Sequence, residues 1–112
     1  MPLTLQTALD TLPIFATASV IAGQGGLGRE IRWTHIVDNP DILPWVREGD
    51  LLLTTAFAIK DHPEASQELV ANLQSKGLAG MVVAVGRYVL QIPAAMVAAA
   101  DRLDFPILTL PW

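Results

Sequence analysis

Two aspartates, two threonines, an arginine and a tryptophan are the residues of this chain best placed to meet a ligand. Asp38 follows a strand-like apolar run at residues 31–37, and Asp41 follows it across Pro40. Thr54 and Thr55 close a second apolar run that starts at Leu51, and Arg87 follows a third, residues 81–85, after Gly86. Polar groups at the carboxyl ends of apolar strands are where α/β domains usually place ligands. In that setting Asp38 would accept hydrogen bonds, Thr54 and Thr55 would orient the ligand, and Arg87 would hold an anionic group with its planar fork. Trp45 would stack on a flat ligand. Each side chain also has a plainer use. Asp38 and Asp41 can cap a short helical turn, the threonines can close a strand, Arg87 can sit in a solvated loop, and Trp45 can anchor the core. To act as a general acid–base pair, the two aspartates would need a cleft and shifted pKa values, and a sequence displays neither.

Other chemistries find little support. Gly23, Gly25 and Gly28 have the spacing G-x-G-x-x-G. A dinucleotide site needs a helix N-terminus directly after such glycines. Here Arg29-Glu30-Ile31-Arg32-Trp33 follows, which reads as a strand, so the glycines are expected to form a turn. His35 lies within a strand and His62 in a loop or cap, without a carboxylate at metal-ligand spacing. Ser19, Ser66 and Ser75 lack a nucleophile elbow. With no cysteine there is no thiolate site and no disulfide. No cofactor and no metal are implied, and an enzyme is not expected.

The elements that must position these residues alternate. Thr4 is a plausible N-cap, and Leu5, Ala8, Leu9 and Leu12 then recur at helical spacing until Pro13. A short strand at residues 18–22, the glycine turn and the strand at 31–37 follow. Asn39-Pro40-Asp41 breaks that strand, and residues 42–46 fit one helical turn. After the apolar strand 51–55, Pro63 opens a helix carrying Ala65, Leu69, Val70 and Leu73, which ends near Gly77. Strand 81–85, a helix opened by Pro93 with Met96, Val97, Ala100 and Leu103, and a last strand at 105–110 complete the order. Alternating strands and helices predict a single small α/β domain, with a mostly parallel sheet of about five strands and helices on its faces.

Composition narrows the class. The chain of 112 residues is 52% hydrophobic and 16% charged, which excludes disorder and suggests that some surface meets another domain or a second copy. Seven basic against eleven acidic residues give a net charge of −4, so this segment is not expected to touch nucleic acid. The N-terminus lacks a basic leader, and no apolar run approaches the ~18 residues of a membrane span. The last strand runs directly into Pro111-Trp112, so the chain is expected to be the first domain of a longer protein.

These segments together resemble a known family. Leu-Thr-Leu-Gln-Thr-Ala-Leu opens the chain at residues 3–9. Arg-Glu-Ile-Arg-Trp-Thr-His-Ile-Val-Asp spans 29–38, and Trp-Val-Arg-Glu-Gly-Asp-Leu-Leu-Leu-Thr-Thr spans 45–55. Gly-Leu-Ala-Gly-Met-Val-Val at 77–83 and Asp-Phe-Pro-Ile-Leu-Thr-Leu-Pro-Trp at 104–112 complete the pattern. Over essentially its whole length the chain resembles the N-terminal domain of purine catabolism regulator (PucR-like) transcription factors, most specifically at residues 49–55. One departure is Ala56, where the family usually has glycine.

The resemblance implies a bacterial cytoplasmic regulator whose DNA-binding helix-turn-helix lies downstream, with this domain serving effector sensing, oligomerisation or both. A looser similarity to the N-terminal substrate domain of Mur ligases implies a like fold and nucleotide-like ligands, and does not carry function. The partners implied by the family resemblance are a small-molecule, purine-related effector, the downstream domains and a second copy of the chain. The leading reading is a regulatory module that binds a polar metabolite through Asp38, Thr54, Thr55 and Arg87, with Asp41 and Trp45 nearby. The alternatives are a pure oligomerisation scaffold, motivated by the alanine-rich residues 94–100 and residues 56–59, and the substrate-binding domain of a Mur-ligase-like enzyme.

Overall fold

The computed structural model describes residues 3–15, 17–36, 43–55, 66–86 and 91–111. The chain opens with β1 (Leu3–Thr4) and α1 (Leu5–Thr11). Thr4 caps α1 as its side chain accepts from the Thr7 amide at 3.1 Å. The first two helical amides, Leu5 and Gln6, donate to the carbonyls of Arg29 and Leu27. The glycine-rich loop thus satisfies donors that a helix start leaves open. After β2 (Ser19–Ala22) comes a 3-10 turn at Gln24–Gly26.

The strand expected at 31–37 is two strands over its described part. β3 (Glu30–Ile31) pairs with β1, whereas β4 (Trp33–Ile36) joins the main sheet. The break falls at Arg32, whose amide donates to the Gly49 carbonyl at 2.9 Å instead of to a ladder. A 3-10 turn, Leu43–Trp45, replaces the expected helical turn. Then come β5 (Asp50–Thr54), α2 (Ser66–Ser75), β6 (Gly80–Val85), α3 (Ala94–Leu103) and β7 (Ile107–Pro111). The expected helix start at His62 and Pro63 lies outside the described residues.

The main sheet has the order β2-β7-β6-β5-β4. The β4–β5, β5–β6 and β6–β7 pairs are parallel, and β2 runs antiparallel to β7. The expected mostly parallel five-stranded sheet is therefore what forms. β6, the most uniformly apolar strand, is central, as a strand covered on both faces should be.

Alternation along the strands builds two cores. Leu51, Val82 and Leu108 face Leu5, Ala8 and Phe15 on the α1 side. Leu52, Met81, Val83 and Ile107 face Val70, Leu73, Met96 and Ala100 of α2 and α3 on the other. The alanine-rich helix thus spends much of its apolar face internally, with Met96, Ala99 and Ala100 buried. The edge strand β4 instead leaves Trp33 and Ile36 69% and 74% exposed. No described helix is long and apolar enough to cross a membrane.

Candidate functional site

Three adjacent parallel strands, β4, β5 and β6, end side by side, because Ile36 pairs with Leu53 and Thr54 with Val83. Thr54 and Thr55 lie at this end, 5% and 8% exposed. They line a concavity of about 130 Å³ whose other walls are apolar, including Ile36, Leu53, Val82 and Leu110. Asp38 and Arg87 follow the last residues of β4 and β6 by two positions in sequence. Asp38, Asp41, Arg87 and Ala56 lie outside the described residues.

Trp45 belongs elsewhere. It is 53% exposed, so it is not a core anchor. Its neighbour Val46 is buried, and the Val46 carbonyl accepts from Lys76 Nζ just past the end of α2. That is the end of the sheet where β5 and β6 begin, opposite the threonines. The chain returns to that end to start a parallel strand, and Trp45 returns with it.

The starting end of β4 and β5 holds a larger cleft, about 460 Å³, lined by Arg32, Trp33, His35, Arg47, Glu48 and Asp50. No motif or spacing in the sequence assembles it. Register does so: Trp33 pairs with Asp50, which brings His35 Nδ1 to 3.6 Å from Asp50 Oδ2. That separation suits an ion pair but is too long for a hydrogen bond. Asp50 is 3% exposed, and its Oδ2 also accepts the Arg47 amide at 2.9 Å, which closes the turn into β5. Gly49 in that turn has φ 85°, and a Cβ there would lie 2.7 Å from Arg32 Cδ. The stem of Arg32 thus lies against the glycine. The one usable signal in the sequence was alternation, which puts Trp33 and His35 on one face.

The glycine-rich loop is structural. Gly23 donates to Asp101 Oδ1 at 2.8 Å, and β3 follows the loop rather than a helix. Arg29 reaches across from its far end. Nη1 donates to the Leu78 carbonyl at 2.9 Å, and Nη2 to those of Asp104 at 2.9 Å and Leu103 at 3.4 Å. The guanidinium also lies 5.5 Å from the centre of the Phe105 ring. Burial holds the Arg29 pKa below its ordinary value, partly offset by the Asp104 carboxylate. Among the described residues, no group of three potential ligands could hold a metal.

Residues 8–112 match the model of the purine catabolism regulatory protein-like family, PucR. The chain is 38% identical over 100 residues to the purine catabolism regulatory protein of Bacillus subtilis (strain 168), covering 89% of this chain and 19% of that protein. It is 26% identical over 89 residues to the transcriptional activator PmfR of Paenarthrobacter nicotinovorans, covering 80% of this chain and 19% of that one. The chain thus spans about a fifth of the length of these relatives.

Among solved structures, the CBS and DRTGG domains of the regulatory region of Clostridium perfringens pyrophosphatase, complexed with the activator diadenosine tetraphosphate, superpose with a TM-score of 0.60. The match covers 96% of this chain and 41% of that one at 16% identity, and it is a likeness of fold.

Proposed function

The chain belongs to the purine catabolism regulatory protein-like family, and from that premise we propose that it is the effector-sensing domain of a bacterial, cytoplasmic transcription regulator. One observation carries the reading: β4, β5 and β6 are adjacent and parallel, so their carboxyl ends, the usual ligand position in such sheets, lie together. Asp38 would accept hydrogen bonds there, Thr54 and Thr55 would orient the ligand, and Arg87 would meet an anionic group. Asp41 would support the rim as a cap. The described concavity is smaller than the ~300 Å³ typical of a small-molecule site. It suits an apolar corner of the ligand, and the polar walls would come from the residues that follow the strands. Effector binding would shift the balance between two poses of the downstream domains through differential affinity. DNA contact would belong to chain beyond these residues, in keeping with the net charge of −4.

A thermal-shift panel of purines, ureides and amino acids tests the sensing reading. At about 100 times its Kd an effector adds ~2.7 kcal/mol of stability. Wild type should show such a shift with one panel compound, and Asp38→Ala should lose most of it. A panel in which no compound stabilises the wild type would remove the basis for effector sensing.

A second reading, self-association, is favoured by the exposure of Trp33 and Ile36 on edge strand β4, because such an edge invites pairing. Sedimentation velocity should then show a dimer that Ile36→Lys dissociates. A wild-type chain that stays monomeric at about 100 μM would end that reading.

A further inference from the structure

We propose that the cleft at the starting ends of β4 and β5 binds a planar organic anion carrying ring N–H donors. This site lies at the opposite end of the strands from the threonine rim and does not depend on the sensing reading there. At about 460 Å³ the cleft falls within the range of small-molecule sites. Its cations are uncommitted: among the described residues, neither the Arg32 nor the Arg47 guanidinium has a hydrogen-bond or ion-pair partner. Each offers a flat fork that matches a carboxylate. Trp33, 69% exposed, lines the same cleft and offers an indole face for stacking.

The walls also carry acceptors, and these narrow the ligand further. Glu48 lines the cleft, as does Asp50 with His35 beside it. A ligand of negative charge alone, such as a polyphosphate, would meet the Glu48 carboxylate unfavourably. A flat ring with one anionic group and N–H donors satisfies both signs at once. The site is also anchored. The Asp50 carboxylate accepts the Arg47 amide, and the Arg32 amide is tied to the Gly49 carbonyl. The two arginines are therefore fixed at their backbones while their forks remain available.

Calorimetric titration and amide-shift mapping test the proposal with four probes. Orotate has both the ring N–H groups and a carboxylate, uracil has the ring alone, benzoate has the carboxylate alone, and inorganic phosphate has only charge. Orotate is expected to bind with a Kd on the order of 0.1–1 mM, with the other three at least about tenfold weaker. Shifts should centre on Arg32–His35 and Arg47–Asp50. Arg47→Gln should weaken orotate about tenfold or more, and Trp33→Ala should do so independently should Arg47→Gln fold poorly. Arg102→Gln, an exposed helix-end arginine with the same change in charge, should leave the affinity within about twofold. The proposal is overturned if orotate fails to bind at about 10 mM, or if uracil, benzoate or phosphate binds as well as orotate. Equal weakening by both arginine variants, or shifts centred on Thr54 and Thr55, overturns it too.

Discussion

Gly23→Ala is expected to destabilise this domain by about 3 kcal/mol or more, a large share of the ~5–15 kcal/mol that holds such a domain folded. Gly23 sits at φ 67°, ψ 33°, a left-handed conformation that costs an L-residue roughly 1–2 kcal/mol. The larger part is steric. A Cβ at this position would lie 2.0 Å from the Phe105 carbonyl oxygen and 2.2 Å from its carbon. Both are backbone atoms at the entry to β7, so no side-chain rotation relieves the overlap. The loop would have to lift away, taking the Gly23 amide off the Asp101 carboxylate. Gly28, in the same loop, is the internal control, since an added Cβ there meets nothing within 4 Å. Gly28→Ala should change stability by no more than about 0.5 kcal/mol. Urea denaturation of the three proteins measures both effects, and a Gly23→Ala variant as stable as Gly28→Ala would refute the close-approach argument.

Arg29→Met should cost about 2–3 kcal/mol. Methionine keeps much of the apolar contact with Phe105 but strips donors from the carbonyls of Leu78, Leu103 and Asp104. A charged hydrogen bond contributes roughly 1.5–3 kcal/mol, and a buried carbonyl left without a donor costs about 1–3 kcal/mol. The bond to Asp104 is exposed and the one to Leu103 is long, so the Leu78 contact should dominate. Arg29→Lys should recover only part of the loss, because a single ammonium cannot span three carbonyls. If Lys restores full stability, the fork geometry is irrelevant. Gly23 and Arg29 both meet the Asp104–Pro106 segment, so the double variant should lose less than the sum of the two. Strict additivity would show that they do not act on one segment.

Both predictions arise in the segment that invited a cofactor reading. The three glycines permit a backbone to approach something closely, and the spacing alone leaves open what is approached. For Gly23 and Gly25 it is the chain's own helix-to-strand turn at Asp104–Phe105, and Gly28 approaches nothing. Arg29, which reads in the sequence only as the start of the strand after the glycines, is the side chain that clamps that turn.

The elements themselves were largely legible. The apolar runs of β5 and β6 announced strands, and the Leu5–Ala8 spacing announced α1 with Thr4 as its cap. The split at Arg32 was not legible, because it arises from the bond between the Arg32 amide and the Gly49 carbonyl seventeen residues away. Residue type alone sends Trp45 to a core or a rim. It is at neither, because the return crossover carries it to the other end of the sheet.

The sequence by itself determined the alternation of strands and helices, the apolar faces and the polar character of the strand ends, because periodicity and capping are local properties of the chain. It also carried the family resemblance, through short runs such as Gly-Asp-Leu-Leu-Leu-Thr-Thr. Only the tertiary structure decided which strands lie at the edges, and therefore that Trp33 and Ile36 are exposed while β6 is buried. It alone set the register that brings His35 to Asp50 and gathers Arg32 and Arg47 around one cleft. The physical reason is that register and strand order follow from pairing energies between segments far apart in the chain, and no pattern within one segment encodes them.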